Sequence, residues 1–227
     1  MKYLSKPGTN AKTAKSDKAS QYLTAILYLL PDLDLCPMSE RAGCAAACLN
    51  TAGRGAFNNV QEARRAKSQA FKRDPVAFVD QLKLDIAKHV RYCERRGKKP
   101  AVRLNGTSDI DWSKITGSDG LTVFEAFPGV TYYDYTKMIK RKPLPNWHLT
   151  ASYSEASAKY AGMVAKTDKN IAVVFRDRLP KTFLGRPVID GDKHDLRFLD
   201  RPGVVVGLLA KGAAKRDTSG FVIARSV

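Results

Sequence analysis

The chain of 227 residues carries 39 lysines and arginines against 22 aspartates and glutamates, a formal charge of +17, and 44% of its residues are apolar. That apolar share supports a substantial core and excludes wholesale disorder, collagen-like and low-complexity classes, while the charge points to a polyanionic partner. The longest apolar run, Tyr22 to Leu30, is interrupted by a threonine and falls short of the ~18–20 residues a membrane span needs, so a soluble protein with no membrane partner is expected.

A basic start precedes that run, but Asp32, Asp34, Glu40 and Arg41 lie where a signal peptide would be neutral and small. A cytoplasmic location is therefore expected. There, four cysteines point to metal ligands, catalytic groups or buried thiols rather than to a disulfide framework.

Residues 1–20 are rich in Lys, Ser, Thr, Asn and Ala without apolar periodicity, and they read as a basic arm outside the core. Residues 21–227 read as a single α/β domain. The run QYLTAILYLLP is strand-like and stopped by Pro31, and the loop after it carries the first cysteine of a segment spanning 36–48. Small helix formers at 43–52 predict a short helix, and a basic helix is expected from about Asn58 to Lys72. Pro75, capped by Asp74, should open a longer helix with Val76, Phe78, Val79, Leu82, Ile86 and Val90 facing the core, ended by Gly97.

Short apolar runs then recur at 101–106, 131–136, 147–153, 171–176 and 204–212. Several are apolar on both alternating faces, which suits a parallel sheet covered on both sides. The expected architecture is a partial (β/α) barrel or an open, mostly parallel sheet with helices on the outside. Polar residues gather after the apolar part of each run, on the rim where parallel α/β folds bind ligands. They include Asn105, Thr107, Ser108 and Asp109, then Tyr135 and Lys137, then Ser152 and Ser154.

Cys36, Cys44 and Cys48 fall in the pattern C-P-x6-C-x3-C directly after the first strand. Thiolates suit iron-sulfur clusters and zinc, and on a helix the four-residue spacing would put Cys44 and Cys48 on one face. Three ligands fit a [4Fe-4S] cluster with one open iron better than a structural zinc ion, which normally takes four; zinc remains the alternative, and buried apolar thiols the plainer one. Cys93 and His89 belong to a helix end expected at the opposite rim, in a structural role.

Asp190, Asp192, His194, Asp195 and Asp200 form an acidic group that would suit magnesium in a nuclease, or simply a turn with a salt bridge to Arg197. Arg64, Arg65 and Lys67 lead a basic stretch that continues to Lys99, with Lys140 to Lys142 later. With Tyr133 and Trp147 as stacking aromatics, these residues are the expected contacts to DNA or RNA.

The segments NAKT, CP…GCAAACLNTAGRG, VRLNGTSDI, YYDYTK, HLTASYSE, AVVF, VIDGDKHDLRF and GFVI resemble the phage gene-product-eighty-eight family over nearly the whole chain. That resemblance implies a bacteriophage or prophage origin and no defined chemistry. A broader likeness is to radical S-adenosylmethionine enzymes, where a three-cysteine loop after the first strand of a partial barrel holds a [4Fe-4S] cluster. Placement agrees, while the usual spacing is C-x3-C-x2-C. This likeness implies S-adenosylmethionine as a cofactor, with Asn105, Thr107 and Ser108 at its methionine end and Ser152 or Ser154 at its ribose. In such an enzyme Asp109, Tyr135 and Lys137 would orient substrate or move protons. The expected function is a cytoplasmic iron-sulfur protein that binds or modifies nucleic acid; the alternatives are a non-catalytic nucleic-acid-binding protein and a magnesium nuclease.

Overall fold

The computed structural model describes residues 2–9, 11–48, 50 and 53–224. In chain order the elements are α1 (Ala11–Ala19), β1 (Tyr22–Ile26), α2 (Asn58–Arg73), α3 (Pro75–Glu94), β2 (Lys99–Arg103), α4 (Val123–Ala126), β3 (Thr131–Thr136), β4 (Trp147–Ser152) and α5 (Ala158–Ala165). They are followed by β5 (Ile171–Phe175), β6 (Thr182–Phe183), β7 (Arg186–Asp190), β8 (Val205–Leu209) and β9 (Val222–Ile223).

Among the described residues the strands make a nine-stranded sheet in the order β1-β2-β3-β4-β5-β8-β7-β6. The named pairings are parallel except for the β6–β7 hairpin. The sheet is open. β1 to β5 lie side by side in sequence order, so their C-terminal ends share one rim, as expected for a mixed α/β fold. β4 pairs with the start of β5 at Ala151–Ile171 and Ser152–Ala172, and β9 pairs with its end at Val174–Val222 and Phe175–Ile223. The C-terminal strand thus takes over from β4 on that edge of β5, at the same rim.

Strand alternation sorts side chains between two faces. Ala25, Leu27, Val102, Leu104, Tyr132, Trp147 and Leu149 join Phe78, Val79, Leu82 and Ile86 of α3 in the largest core cluster. Burying each of the larger side chains is worth about 1.5–3 kcal/mol. The opposite face presents Thr24, Arg103, Tyr133, Tyr135, His148 and Thr150, and Leu196 and Phe198 pack against its Tyr133. α3 forms as its sequence predicts: the Asp74 side chain accepts from Ala77 N at 3.0 Å, Pro75 takes the first turn, and Gly97 beyond its end has φ +60°. Val76 differs from expectation, being exposed rather than core-facing.

The N-terminal segment is also corrected. Instead of a detached arm, it packs on the domain: Tyr3 stacks on Phe78 at 4.0 Å between ring centroids, Leu4 bridges Leu27, and the Asp85 carboxylate accepts from Tyr3 N at 2.6 Å. Asp17 of α1 caps the start of β1 by accepting from Thr24 N at 3.0 Å. These anchors are single side chains at irregular spacing, so no periodicity announces them.

His89 and Cys93 lie away from the cysteine loop. His89 Nε2 faces the carbonyls of Leu23 and Ala101 at 3.1 and 3.2 Å, joining α3 to β1 and β2, and Cys93 is buried beside it with Sγ 3.6 Å away. Burial pushes the histidine's pKa down, against the two carbonyls it faces.

Candidate metal centre

The cysteine loop begins where β1 runs out. Leu29 O accepts from Thr107 Oγ1, Leu30 exchanges two hydrogen bonds with Ser68, and Leu35 O accepts from Asp109 N at 2.7 Å. Asp32 folds the next turn, its carboxylate taking Leu35 N and its carbonyl taking Cys36 N at 2.8 Å. Lys72 of α2 pairs with both Asp32 and Asp34 from outside.

The helix predicted over 43–52 is absent among the described residues; Leu49, Thr51 and Ala52 lie outside them. The cause is tertiary competition for the carbonyls a helix would use. Ala42 O accepts from Ser154 Oγ at 2.7 Å, and Gly43 O accepts from Ser219 Oγ at 2.8 Å. Gly43 has φ +65°, and a Cβ there would stand 2.4 Å from Ser219 Oγ. The four-residue spacing of Cys44 and Cys48 therefore does not act through a helix face.

The loop nevertheless keeps Cys36, Cys44 and Cys48 in one neighbourhood, each half-buried and none in a disulfide. Cys44 Sγ donates to Ser39 O at 3.5 Å, and Asn50 N donates to Cys48 Sγ at 3.4 Å. Asn50 is itself gripped by Arg64, whose Nη1 lies 2.6 Å from both Asn50 O and Oδ1. Burial pushes the Cys36 thiol up to about 12, helped by the Asp109 carboxylate and by Cys44 and Cys48, and opposed by Lys137. Burial likewise raises Cys44, with Lys137 the main opposing charge and Cys48 adding to the rise. The three thiols are thus within electrostatic reach of one another, and Cys36 and Cys44 within reach of Lys137.

That lysine stands on a built support. Its N–H donates to Asp109 Oδ2 at 2.8 Å, its ammonium donates to Ser152 Oγ at 2.6 Å, and it lies 4.7 Å from the centroid of the Phe221 ring. Asp109 is buried and also takes Thr136 Oγ1 at 2.8 Å and Arg141 Nη1 at 2.7 Å. It holds the rim together rather than presenting a reactive carboxylate. Arg141, which the sequence places in an exposed basic run, is spent on this buried pair.

The positions expected to hold S-adenosylmethionine do not fit that role. Asn105 Oδ1 accepts from Ser108 Oγ, Ile110 N and Trp112 Nε1, and its amide donates to Ile110 O. Thr107 is bonded to Leu29 O and Ser154 to Ala42 O, and all four side chains are buried. They fasten loops. Ser152 alone of the five is half-exposed, and it accepts a hydrogen bond from Lys137.

The nucleic-acid contacts divide in the same way. Tyr133 and Trp147 are interior, with Tyr133 Oη donating to Asp195 at 2.9 Å and Trp147 Nε1 to Asp134 at 3.0 Å, so no base can stack on them. Arg64 is buried under the cysteine loop, and Lys67 is half-buried, donating to Tyr3 O, with its amine pushed down to about 8 by burial and by Arg64. Arg65 is exposed as expected, with Arg73, Arg91, Arg95, Arg96 and Lys99.

The acidic group at 190–200 disperses. Asp195 is buried against Tyr133 and Arg103, Asp192 pairs with Lys211 at 2.7 Å, and Asp200 lies beside Arg197 at 3.3 Å. Among the described residues no three His, Cys, Asp or Glu side chains converge on a position for a single metal ion. This removes the basis for a magnesium site on Asp190, Asp192 and Asp195. The same holds for a mononuclear site on the three thiols.

No helix among the described residues is long and apolar enough to cross a membrane. No curated protein and no solved structure matches the chain. A family model described as Gene product 88 does match, over residues 2–225, a span that takes in the cysteine loop, the sheet and β9 alike. The chain therefore belongs to the Gene product 88 family.

Proposed function

We propose that Cys36, Cys44 and Cys48 hold an iron-sulfur cluster on the rim of the sheet, in a protein that binds nucleic acid through its exposed basic side chains. The carrying observation is that three free thiols sit on one irregular loop fastened from three distant segments, by the backbone N–H of Asp109 and the hydroxyls of Ser154 and Ser219. Thiols that raise one another's pKa are poor neighbours as anions, and a cationic centre reverses that cost. The N–H of Asn50 supplies a hydrogen bond to sulfur of the kind that tunes cluster potentials. Lys137 offsets thiolate charge from the side of β3. Held by three cysteines, such a cluster would keep one iron open to an outside ligand and could pass an electron.

The net charge of +17 supports the polyanion partner, and Arg65 and Arg73 on α2 with Arg91, Arg95 and Arg96 at the end of α3 are exposed to meet phosphates. The test is purification without oxygen. Iron and sulfide in about four-to-one ratio to chain, with broad absorption near ~400 nm, is the expected result. Cys36→Ala, Cys44→Ala and Cys48→Ala should each lose the colour and Cys93→Ala should keep it. Stoichiometric zinc without iron would overturn the cluster.

A further inference from the structure

The end of the sheet opposite the cysteines gathers exposed positive charge. Because β1 to β5, β7 and β8 run parallel, the segments that lead into them share that end. Arg95, Arg96 and Lys99 lie at the entry to β2, Lys142 before β4, Lys166 before β5 and Arg201 before β8, and all six are exposed. Two exposed acids, Glu94 and Asp168, stand among them, Asp168 at 4.0 Å from Lys169. At the cysteine rim several cations are answered by acids instead: Lys72 pairs with Asp32 and Asp34, Arg141 with Asp109 and Lys211 with Asp192.

Within this basic end, a groove of about 400 Å³ opens between the segments entering β3 and β4. Pro128, Pro143, Leu144, Pro145, His148 and Phe198 line it, and no carboxylate among the described residues does. Its walls are fastened in advance. Asn146 Nδ2 donates to Phe124 O at 3.1 Å and to Phe127 O at 3.3 Å, Asn146 O accepts from Tyr132 N at 2.7 Å, and Trp147 N donates to Leu144 O at 2.9 Å. A groove built this way loses little freedom when it is filled. Cations flank it: Lys142 adjoins Pro143, and Lys99 pairs in register with Tyr22, whose ring meets Phe198 at 4.8 Å.

An apolar groove with ring faces inside and positive charge outside matches the chemistry of a nucleotide in a single strand, whose base is available to stack while its phosphates stay in solvent. A duplex keeps its bases stacked on one another. The Asn146 amide is occupied by carbonyls, so it reads no base edge, and stacking alone tolerates any base.

We propose that this end of the sheet binds single-stranded nucleic acid, with a base in the Phe198 groove and phosphates on Lys99, Lys142 and Arg201. The assignment rests on nucleic acid being the polyanionic partner and adds the form and the place of that partner, at the opposite end of the sheet from the thiols.

The test uses the full chain and fluorescence anisotropy, with a labelled oligothymidylate of about 20 nucleotides and a duplex of the same length. The single strand should bind more tightly. Gly129→Leu fills the groove from a position where an added Cβ meets nothing within 4 Å, and it should weaken single-strand binding about fivefold or more with an unchanged thermal midpoint. Phe198→Leu, which keeps an apolar side chain there, should act in the same direction. Lys99→Glu with Arg201→Glu should weaken binding and lower its salt dependence. Photocrosslinking through 4-thiothymidine should label residues 128–131, 143–148 or 198. Equal affinity for the two forms, or a Gly129→Leu protein that binds the single strand as tightly as the parent, overturns the groove. Should binding depend on Arg65 and Arg73 in that case, the nucleic-acid reading stands without this site; failure of the parent protein to bind either form overturns both.

Discussion

A 2.8 Å hydrogen bond from the backbone N–H of Lys137 to Asp109 Oδ2 ties a lysine whose charge acts on Cys36 and Cys44 to the residue whose own N–H fastens their loop. Asp109 reaches the loop through its own N–H to Leu35 O, one residue before Cys36, and it holds Arg141 in a buried pair. The same residue thus sets the positions of a cation and a cysteine. Asp109→Ala should leave Arg141 buried without its partner and cost about 3–5 kcal/mol, measured by urea unfolding. Arg141→Met added to it should recover part of that loss. An Asp109→Ala protein of unchanged stability would contradict this structural role.

Gly43→Ala probes the second clamp. Its φ of +65° and the 2.4 Å approach to Ser219 Oγ mean that an added Cβ forces the loop or the serine to move. The expected outcome is reduced iron content with little change in global stability, since Gly43 lies in the loop and outside the main core. Ser219→Gly, which removes both the Oγ and the Cβ that the added methyl would meet, should soften the defect in the double variant.

Alkaline pH should destabilise the metal-free protein. Cys36 is pushed up to about 12 and Cys93 to about 11, both chiefly by burial, whereas unfolded thiols titrate near ~8.5. Between these values the unfolded chain has lost protons that the folded chain keeps, so stability falls as pH rises above about 8.5. Alkylation of Cys36 should accordingly lag behind that of a model thiol at pH 9. A urea midpoint that stays flat from pH 8 to 10 would contradict the buried, neutral thiols.

Asp134 gives a pH effect in the acid range. It is wholly buried beneath Asn105 N and Trp147 Nε1, and burial pushes its carboxyl up to about 7 despite those donors and the nearby Arg103. The folded state holds a proton between about pH 4 and 7 that the unfolded state has released, so this contribution is full below pH 4 and is lost as pH rises through 7. Its size is of order 1–4 kcal/mol. Asp134→Asn should flatten that slope in a urea titration across pH 4 to 7.

Nucleic-acid binding should follow exposure rather than charge alone. Arg65→Glu with Arg73→Glu should weaken binding to DNA or RNA and lower its salt dependence, because each exposed phosphate contact releases a counterion. Arg64→Glu should instead disturb the cysteine loop, through Asn50, and reduce iron content. Trp147→Phe should leave affinity unchanged, its indole being interior. Equal losses of affinity at Arg64 and Arg65 would contradict this division.

The sequence by itself determined the elements whose information is local. The 3.6-residue apolar spacing of Phe78, Val79, Leu82 and Ile86 makes α3 a core helix, Asp74 and Pro75 start it, and the runs at 131–136 and 171–175 become parallel strands because they are apolar and β-branched or aromatic. The clustering of Cys36, Cys44 and Cys48 was equally legible, since it needs nothing beyond counting. Tertiary structure alone decided what the polar residues do. Whether Ser154 faces a ligand or the carbonyl of Ala42, whether Arg64 meets a phosphate or Asn50, and whether Gly43 continues a helix or yields its carbonyl to Ser219 depend on partners 14 to 176 positions away. A serine or arginine has the same hydrogen-bonding capacity in either place, and only the fold supplies the partner that uses it.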